Sequence, residues 1–503
     1  MTSQAQAVAP AGLEASIHEI TGRPEFSNAR WGMRFHAVDT GESLYERNPD
    51  QPFIAASAAK VFTQGTVFDS LGPDHRFRTR VYRTGPVAGA VLAGDLVIVA
   101  SGDLVLGGRI QADGTVAAPI PDHSYGSGPP APGDPLEVIR QLSRQVAEHG
   151  IRRVTGRVRV DASLFREGRE DIGVGGRRIP VSAMMINDNI IDVTVSPGAT
   201  AGAPAVVRTS PDTGYLTLVN EVRTVAARAQ AATPLAFTED VENADGTRTV
   251  RLSGEVPLAD GPPRSAFLSY YVPEPVRFAQ IVFAEALREA GVSVEPGERD
   301  AASDAPPTRP RDLVAEHVSP PVSEQAKVML QAGSNIHTVT FPYLVGSIAG
   351  GEREHPRQVY EEFRSRLFAQ AGVDPDVGDD PGYTPDFFTT FLAHMAAREF
   401  FPAYRAALPV LGEEGALEDI EADSPAAGHV HAKTGGSTAR DDRTPVSKAL
   451  AGFIELPDRR LIAFAEFVEL TGASAEVLEQ ARHALGEIVT AVYVSCGQEA
   501  GSR

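Results

Sequence analysis

The segment Ala55-Ala-Ser57-Ala-Ala-Lys60-Val-Phe-Thr-Gln-Gly-Thr-Val-Phe-Asp-Ser-Leu-Gly72 decides how the rest of this chain is read. Its apolar residues recur at helical spacing, and Gly72 suits a helix C-cap. Ser57 and Lys60 stand at i and i+3 near the expected helix start, so their side chains share one face. A lysine held partly out of water can be neutral and take the serine proton. The N–H groups at a helix start favour the alkoxide that develops. Alone, this four-residue pattern is weak, because chance supplies it in many chains.

Composition adds weight. Arginine is abundant, yet lysine occurs only at positions 60, 327, 433 and 448. Arginine keeps its proton in proteins, whereas a partly buried lysine can lose it. The second notable lysine opens Lys433-Thr434-Gly435. This triplet precedes two segments expected to be adjacent antiparallel strands, Ala449–Glu455 and Leu461–Glu469, joined by the turn Leu456-Pro-Asp-Arg459. On an edge strand the Lys433 ammonium attracts a carboxylate and the Thr434 hydroxyl bonds to it. Gly435 lets substrate approach the backbone. The Gly436 N–H is expected to pair with that of Ser57 as an oxyanion hole.

Outward from these motifs, Trp31 to Arg47 reads as a β-hairpin turning at Asp39-Thr-Gly-Glu. From about Arg80 to Leu268, short β-rich segments such as Val91–Ala100, Val154–Val160, Val206–Thr209 and Val250–Leu252 alternate with Gly/Pro turns. One amphipathic helix, Leu136 to Gly150, interrupts them. Helices return at Pro275–Ala290, Pro321–Ala332, His337–Ile348 and Asp386–Ala397, and a last one covers Ser474–Val489. The change of texture sets 81–269 apart from 1–80 and 270–503, the two stretches that the family resemblance given below implies form one discontinuous catalytic domain. Region 81–269 is expected to be an insertion of two small β-rich domains, about 81–105 with 186–269, and 106–185. A chain of 503 residues is too long for one core.

Bulk properties exclude several classes. A net charge of −20 argues against nucleic acid or an anionic membrane as main partner. A single cysteine, Cys496, allows neither an intrachain disulfide nor a Cys-based metal cluster. No apolar run is long enough to span a membrane. Met1 to Pro10 shows no export signal, so the chain is expected to be cytosolic or to lack its leader. His429 and His431 lack a third ligand nearby and read as an ordinary strand pair. Asp374, Asp376, Asp379 and Asp380 miss the calcium-loop spacing and read as a solvated turn. Gly173-Val-Gly-Gly is not in a dinucleotide-binding context. No metal or organic cofactor is expected.

The two lysine motifs in this order match the Ser-x-x-Lys … Ser-x-Asn … Lys-Thr-Gly signature of penicillin-binding proteins and serine β-lactamases. Gly333-Ser334-Asn335 is the candidate middle motif. The chain resembles the D-alanyl-D-alanine carboxypeptidase/endopeptidase group of low-molecular-mass class C penicillin-binding proteins over most of its length. The resemblance is carried by Asp39-Thr-Gly-Glu-Ser-Leu-Tyr-Glu-Arg-Asn-Pro-Asp-Gln-Pro52, Leu71-Gly-Pro-Asp-His-Arg-Phe77, Gly94-Asp-Leu-Val-Ile-Val-Ala-Ser-Gly-Asp103, Ser319-Pro-Pro-Val-Ser-Glu-Gln-Ala-Lys-Val-Met-Leu330, Leu408-Pro-Val-Leu-Gly-Glu-Glu-Gly-Ala-Leu417 and Ala426-Ala-Gly-His-Val-His-Ala-Lys-Thr-Gly435. It implies an α+β, serine β-lactamase-like domain with a central antiparallel sheet flanked by helices, and β-rich accessory domains inserted after the nucleophile helix. It also implies an extracytoplasmic enzyme. Ser57, Lys60, Asn335 and Lys433 would be catalytic, with Ser334, Thr434, Gly435 and Gly436 around the substrate. That substrate would be a D-amino-acid-terminated peptide or peptidoglycan stem peptide, with β-lactams as covalent inhibitors.

Three features depart from the family pattern. Gly333 stands where the motif serine is found, and Ser334 replaces it only if the loop shifts by one residue. Asp379-Asp-Pro-Gly-Tyr383 replaces a longer Gly/Ser loop, and a polar turn, Ser437 to Lys448, follows the third motif. Two alternatives stay open at this point. One is a biosynthetic or detoxifying acyltransferase or D-peptide hydrolase on the same scaffold. The other is a non-catalytic homologue that keeps only the pocket. His337 is expected to face the cleft, or else to be a core or surface histidine.

Overall fold

The computed structural model describes residues 12–173, 176–227, 233–259, 261, 264–294, 312–378, 382–437 and 444–500. The expectations for Met1–Pro10, for 174–175 of the glycine run, for 379–381 of the acidic loop and for 438–443 of the polar turn lie outside these residues. The backbone divides into two compact units. The first comprises Met1–Asp74, Val322–Gly333 and Gln358–Arg503; the second comprises His75–Pro321 and Ser334–Arg357.

In the first unit a five-stranded sheet runs in the order Val430–Gly436, Val446–Glu455, Leu461–Leu470, Arg30–Ala37, Ser43–Arg47. Every neighbouring pair is antiparallel. The hairpin expected at Trp31–Arg47 is present, and so are the two strands near the C-terminus. The first of these starts at Val446, so Lys448 lies inside a strand rather than at the end of a turn. On one face, Met33, Phe464 and Val468 pack with Leu13, Ile17, Leu485 and Ile488 of the helices Leu13–Thr21 and Ala475–Ala500. An aromatic cluster also builds this unit. Phe467 stacks on Phe53 at 5.5 Å and meets Phe388 edge-on, and Phe62 contacts Phe388 at 4.5 Å. The helices Leu13–Thr21, Pro356–Ala371 and Phe401–Ala406 escaped the periodicity reading. Of these, Pro356–Ala371 carries five arginines and glutamates between its apolar positions, and Phe401–Ala406 is too short for a repeat to show.

Glu466 is an oddity in this core. It is 0% exposed, and neither carboxylate oxygen has a hydrogen-bond partner among the described residues. Its cross-strand neighbours are Met33 and Leu450. Burial therefore pushes its carboxyl well above the ordinary value of 4.5. The acid stays neutral in the fold while the unfolded chain ionises, so stability should fall as pH rises above 4.5 until the folded group ionises too. Glu466→Leu should remove that loss and raise stability at neutral pH by about 1–3 kcal/mol. Denaturation midpoints across pH measure this; a wild-type curve that parallels the variant's would contradict it.

The second unit is β-rich. One sheet runs Leu313–Val318, Arg78–Arg83, Leu96–Val99, Val158–Asp161. Two three-stranded sheets, one centred on Ile190–Ser196 and one on Arg248–Pro257, share a small core of Val193, Val195, Val222 and Leu252. Helices Glu137–Glu148, Pro275–Glu289 and Asn335–Ile348 also belong to this unit. No helix among the described residues is long and apolar enough to cross a membrane.

Candidate active site

Ser57 lies in a 3-10 turn, Ala56–Ala59, and the α-helix starts only at Lys60. Ser57 was expected near the start of the helix, and it lies in the tighter turn that leads directly into it. Ala56 has φ +45°, a left-handed conformation that costs an alanine about 1–2 kcal/mol. Strain of this kind persists only where the surroundings over-determine it. Here the Ala58 N–H donates to the Ala55 carbonyl at 3.0 Å and a strand presses on the turn from the side. Ser57 is half-buried, whereas Lys60 is 5% exposed. The Lys60 ammonium donates to the Gly333 carbonyl. Gly333 has φ +76°, a conformation that disfavours any residue with a Cβ. A serine there would be strained, which gives a physical reason for the glycine.

The pressing strand is Val430–Gly436. A Cβ on Gly435 would lie 2.2 Å from the Ala55 oxygen and 3.1 Å from the Ala58 nitrogen. The third motif and the serine turn are therefore in direct backbone contact, and the glycine is what permits it. Gly435→Ala should force the two apart. The expected result is a fold loss of about 10² in acylation rate by a β-lactam, with the protein still folded. An acylation rate within a factor of two of wild type would show that the contact is not needed.

The same strand forms one edge of the sheet. The Ser437 N–H bonds inward to Ser447 O at 3.0 Å, so by alternation the Gly436 and Thr434 N–H groups point to the open edge. Lys433 is 2% exposed and its ammonium donates to Thr434 Oγ1 at 3.3 Å. Burial pushes its pKa down to about 8. Near the start of this strand His429 stacks on Tyr493 at 5.0 Å, and burial pushes His431 down to about 4.

Ser334 and Asn335 belong to the second unit. Ser334 is the N-cap of helix Asn335–Ile348, and its hydroxyl accepts from the His337 N–H at 3.4 Å. Asn335 Nδ2 donates to the Ile172 carbonyl at 2.7 Å. His337 does not face a cleft. It is 0% exposed, with Nε2 2.9 Å from Asp188 Oδ1, so it is the core histidine of the blander reading.

His337 is part of a buried charge network that the motifs gave no sign of. Arg109 Nη2 donates to Asp122 at 2.6 Å and to Asp188 at 2.7 Å. His123 bridges Asp192 at 2.8 Å and Asp188 at 2.7 Å. Burial by itself would lower the His123 pKa, but its bonds to Asp188 and Asp192 push it up to about 9. Burial would raise the Asp188 pKa, but Arg109 and the two histidines hold it well below the usual range. Asp188 sits in three consecutive left-handed residues, Asn187, Asp188 and Asn189, with φ of 48°, 55° and 52°. Asn and Asp tolerate this conformation best, and side-chain bonds from Asn187 to Ile190 O and from Asn189 to Met184 O lock it. The run Asn187-Asp188-Asn189 between apolar segments is the signal that a closer turn reading would have used. Asp122, His123 and Asp188 offer ligand atoms within 4.8 Å of one another, but the cation those carboxylates hold is Arg109.

The mixed α/β fold is shared with a penicillin-binding protein of known structure. The structure aligns with penicillin-binding protein 4 from Haemophilus influenzae at TM-score 0.66 and 17% identity, over 96% of this chain and 99% of the other. The same protein complexed with a novel β-lactam aligns equally well, with TM-score 0.66 over 95% of this chain. In sequence, the chain is 26% identical over 478 residues to the D-alanyl-D-alanine carboxypeptidase of Actinomadura sp. (strain R39), spanning 89% of this chain and 79% of that protein. The model of the D-Ala-D-Ala carboxypeptidase 3 (S13) family matches residues 13–492. The chain belongs to that family of serine-type carboxypeptidases.

Proposed function

We propose that the chain cleaves D-alanyl-D-alanine-terminated peptides through a Ser57 acyl-enzyme and that β-lactams acylate the same serine. Lys60 takes the proton from the Ser57 hydroxyl. The Ser57 oxygen attacks the carbonyl carbon of the terminal peptide bond, and the Ser57 and Gly436 N–H groups hold the oxyanion. The C–N bond then breaks, the proton passes to the departing D-alanine amine, and water hydrolyses the ester. Lys433 and Thr434 draw the substrate's terminal carboxylate. No step is given to Ser334 or Asn335. Action on cross-linked peptidoglycan as an endopeptidase, and residues 81–269 as an inserted accessory body, belong to the same proposal.

One observation supports this reading above the others: Gly435 lies in backbone contact with the serine turn, as a site shared by the Lys433 strand and Ser57 requires. The test is incubation with a labelled penicillin, location of the adduct by peptide mass, and assay of D-alanine release. An adduct on Ser57 with release supports the scheme. An adduct without release favours a specialised acyltransferase, and no adduct favours a non-catalytic homologue.

The scheme also sets a pH dependence. Lys433 attracts a carboxylate only while protonated, and burial holds its pKa at about 8. KM for an anionic peptide should therefore rise as pH passes about 8, with less change for a C-terminal amide. Parallel KM profiles for the two substrates would exclude this role.

A further inference from the structure

Three of the four lysines have evident tasks. Lys60 and Lys433 belong to the motifs, and Lys327 pairs with Glu324 at 2.8 Å. Lys448 is left over in a chain that uses arginine almost everywhere else. It is half-buried in the strand Val446–Glu455 and has no ion-pair partner among the described residues.

Its position is specific. Lys448 is the cross-strand partner of Gly436, so both point to the same face of the sheet, together with Thr434 two residues back. Lys433 and Gly435 point to the other face, toward the serine turn. The Lys448 ammonium lies 3.6 Å from where a Gly436 side chain would begin. A side chain at 436 would thus begin in contact with Lys448, so this cation stands beside the edge of the strand. An extended peptide along that edge would meet the Gly436 N–H, the Thr434 hydroxyl and the Lys448 ammonium in one neighbourhood. Lys433 is 2% exposed, and its ammonium bonds to the Thr434 hydroxyl.

We propose that Lys448 is a specificity-determining residue that forms the direct ion pair with the C-terminal carboxylate of the peptide, shared with Thr434. The inference rests on the Ser57 reading for where the substrate lies. It makes Lys433 the buried charge that orients Thr434 and Lys448 the charge that touches the ligand.

Binding without turnover tests it. In a Ser57→Ala background, affinities are measured by calorimetry for an N-acetylated peptide ending in D-alanyl-D-alanine and for its C-terminal carboxamide. Adding Lys448→Met should weaken the carboxylate peptide about 10–100-fold, the worth of a charged hydrogen bond, and the carboxamide less than about 2-fold. Lys448→Arg should restore the preference for the carboxylate. Equal losses for both peptides, no loss for either, or no preference for the carboxylate before Lys448 is changed would each overturn the proposal. Failure of the Ser57 scheme would show separately, as a wild-type protein that gains no penicillin adduct at that residue.

Discussion

Replacing Ser57 with alanine should abolish both D-alanine release and the penicillin adduct, with a rate loss of at least about 10⁴-fold. The side chain is half-buried on a turn whose strain and contacts come from the backbone, so its removal leaves the turn intact. Thermal melting should therefore move by less than about 0.5 kcal/mol in stability, as for a substitution outside the core. Peptide affinity should persist, because the edge strand and its charges are untouched. Burst kinetics with a chromogenic β-lactam, together with mass spectrometry of the intact protein, decides the matter. A variant that still forms the adduct would place the nucleophile elsewhere.

The second large effect is on stability. Asp188→Ala should destabilise the second unit by about 3–5 kcal/mol, because it leaves the buried charges of Arg109 and His123 short of a partner. Asp188→Asn should also destabilise, since its amide turns one acceptor into a donor facing other donors. The network carries a pH signature as well. The folded pKa of His123, about 9, lies above its ordinary 6.5, so its contribution is complete below pH 6.5 and is lost as pH rises through about 9. Asp188→Ala should shrink that alkaline loss. Chemical denaturation of both proteins at pH 6.5 and 9.5 reads it, and a destabilisation below about 1 kcal/mol would show that Asp122 and Asp192 suffice without Asp188.

Much of the candidate site was legible because its residues lie close together in the chain. Ser57 and Lys60 are one turn apart, and Lys433 to Gly436 are consecutive, so residue types and short spacing report them directly. The blank spots are of another kind. Lys448 read as the end of a polar turn, because nothing local reveals that its strand begins at Val446 or that its partner is Gly436. Gly333 read as a lost serine, because its φ of +76° and its bond from Lys60 depend on a helix some 270 residues earlier. Arg109, Asp122, His123, Asp188 and His337 are scattered along the chain and carry no common spacing.

The sequence by itself determined the fold class, the family and the pair of lysine motifs, since hydrophobic period and short-range spacing encode elements and the groups riding on them. Only the tertiary structure decided which face each group serves. Strand register put Lys448 beside Gly436, and backbone contact at Gly435 set the third motif against the serine turn. Folding also drew the Arg109 and Asp188 charges together out of water. Pairing between distant segments depends on closing long loops and on packing their surfaces, and no short stretch of residues carries that information.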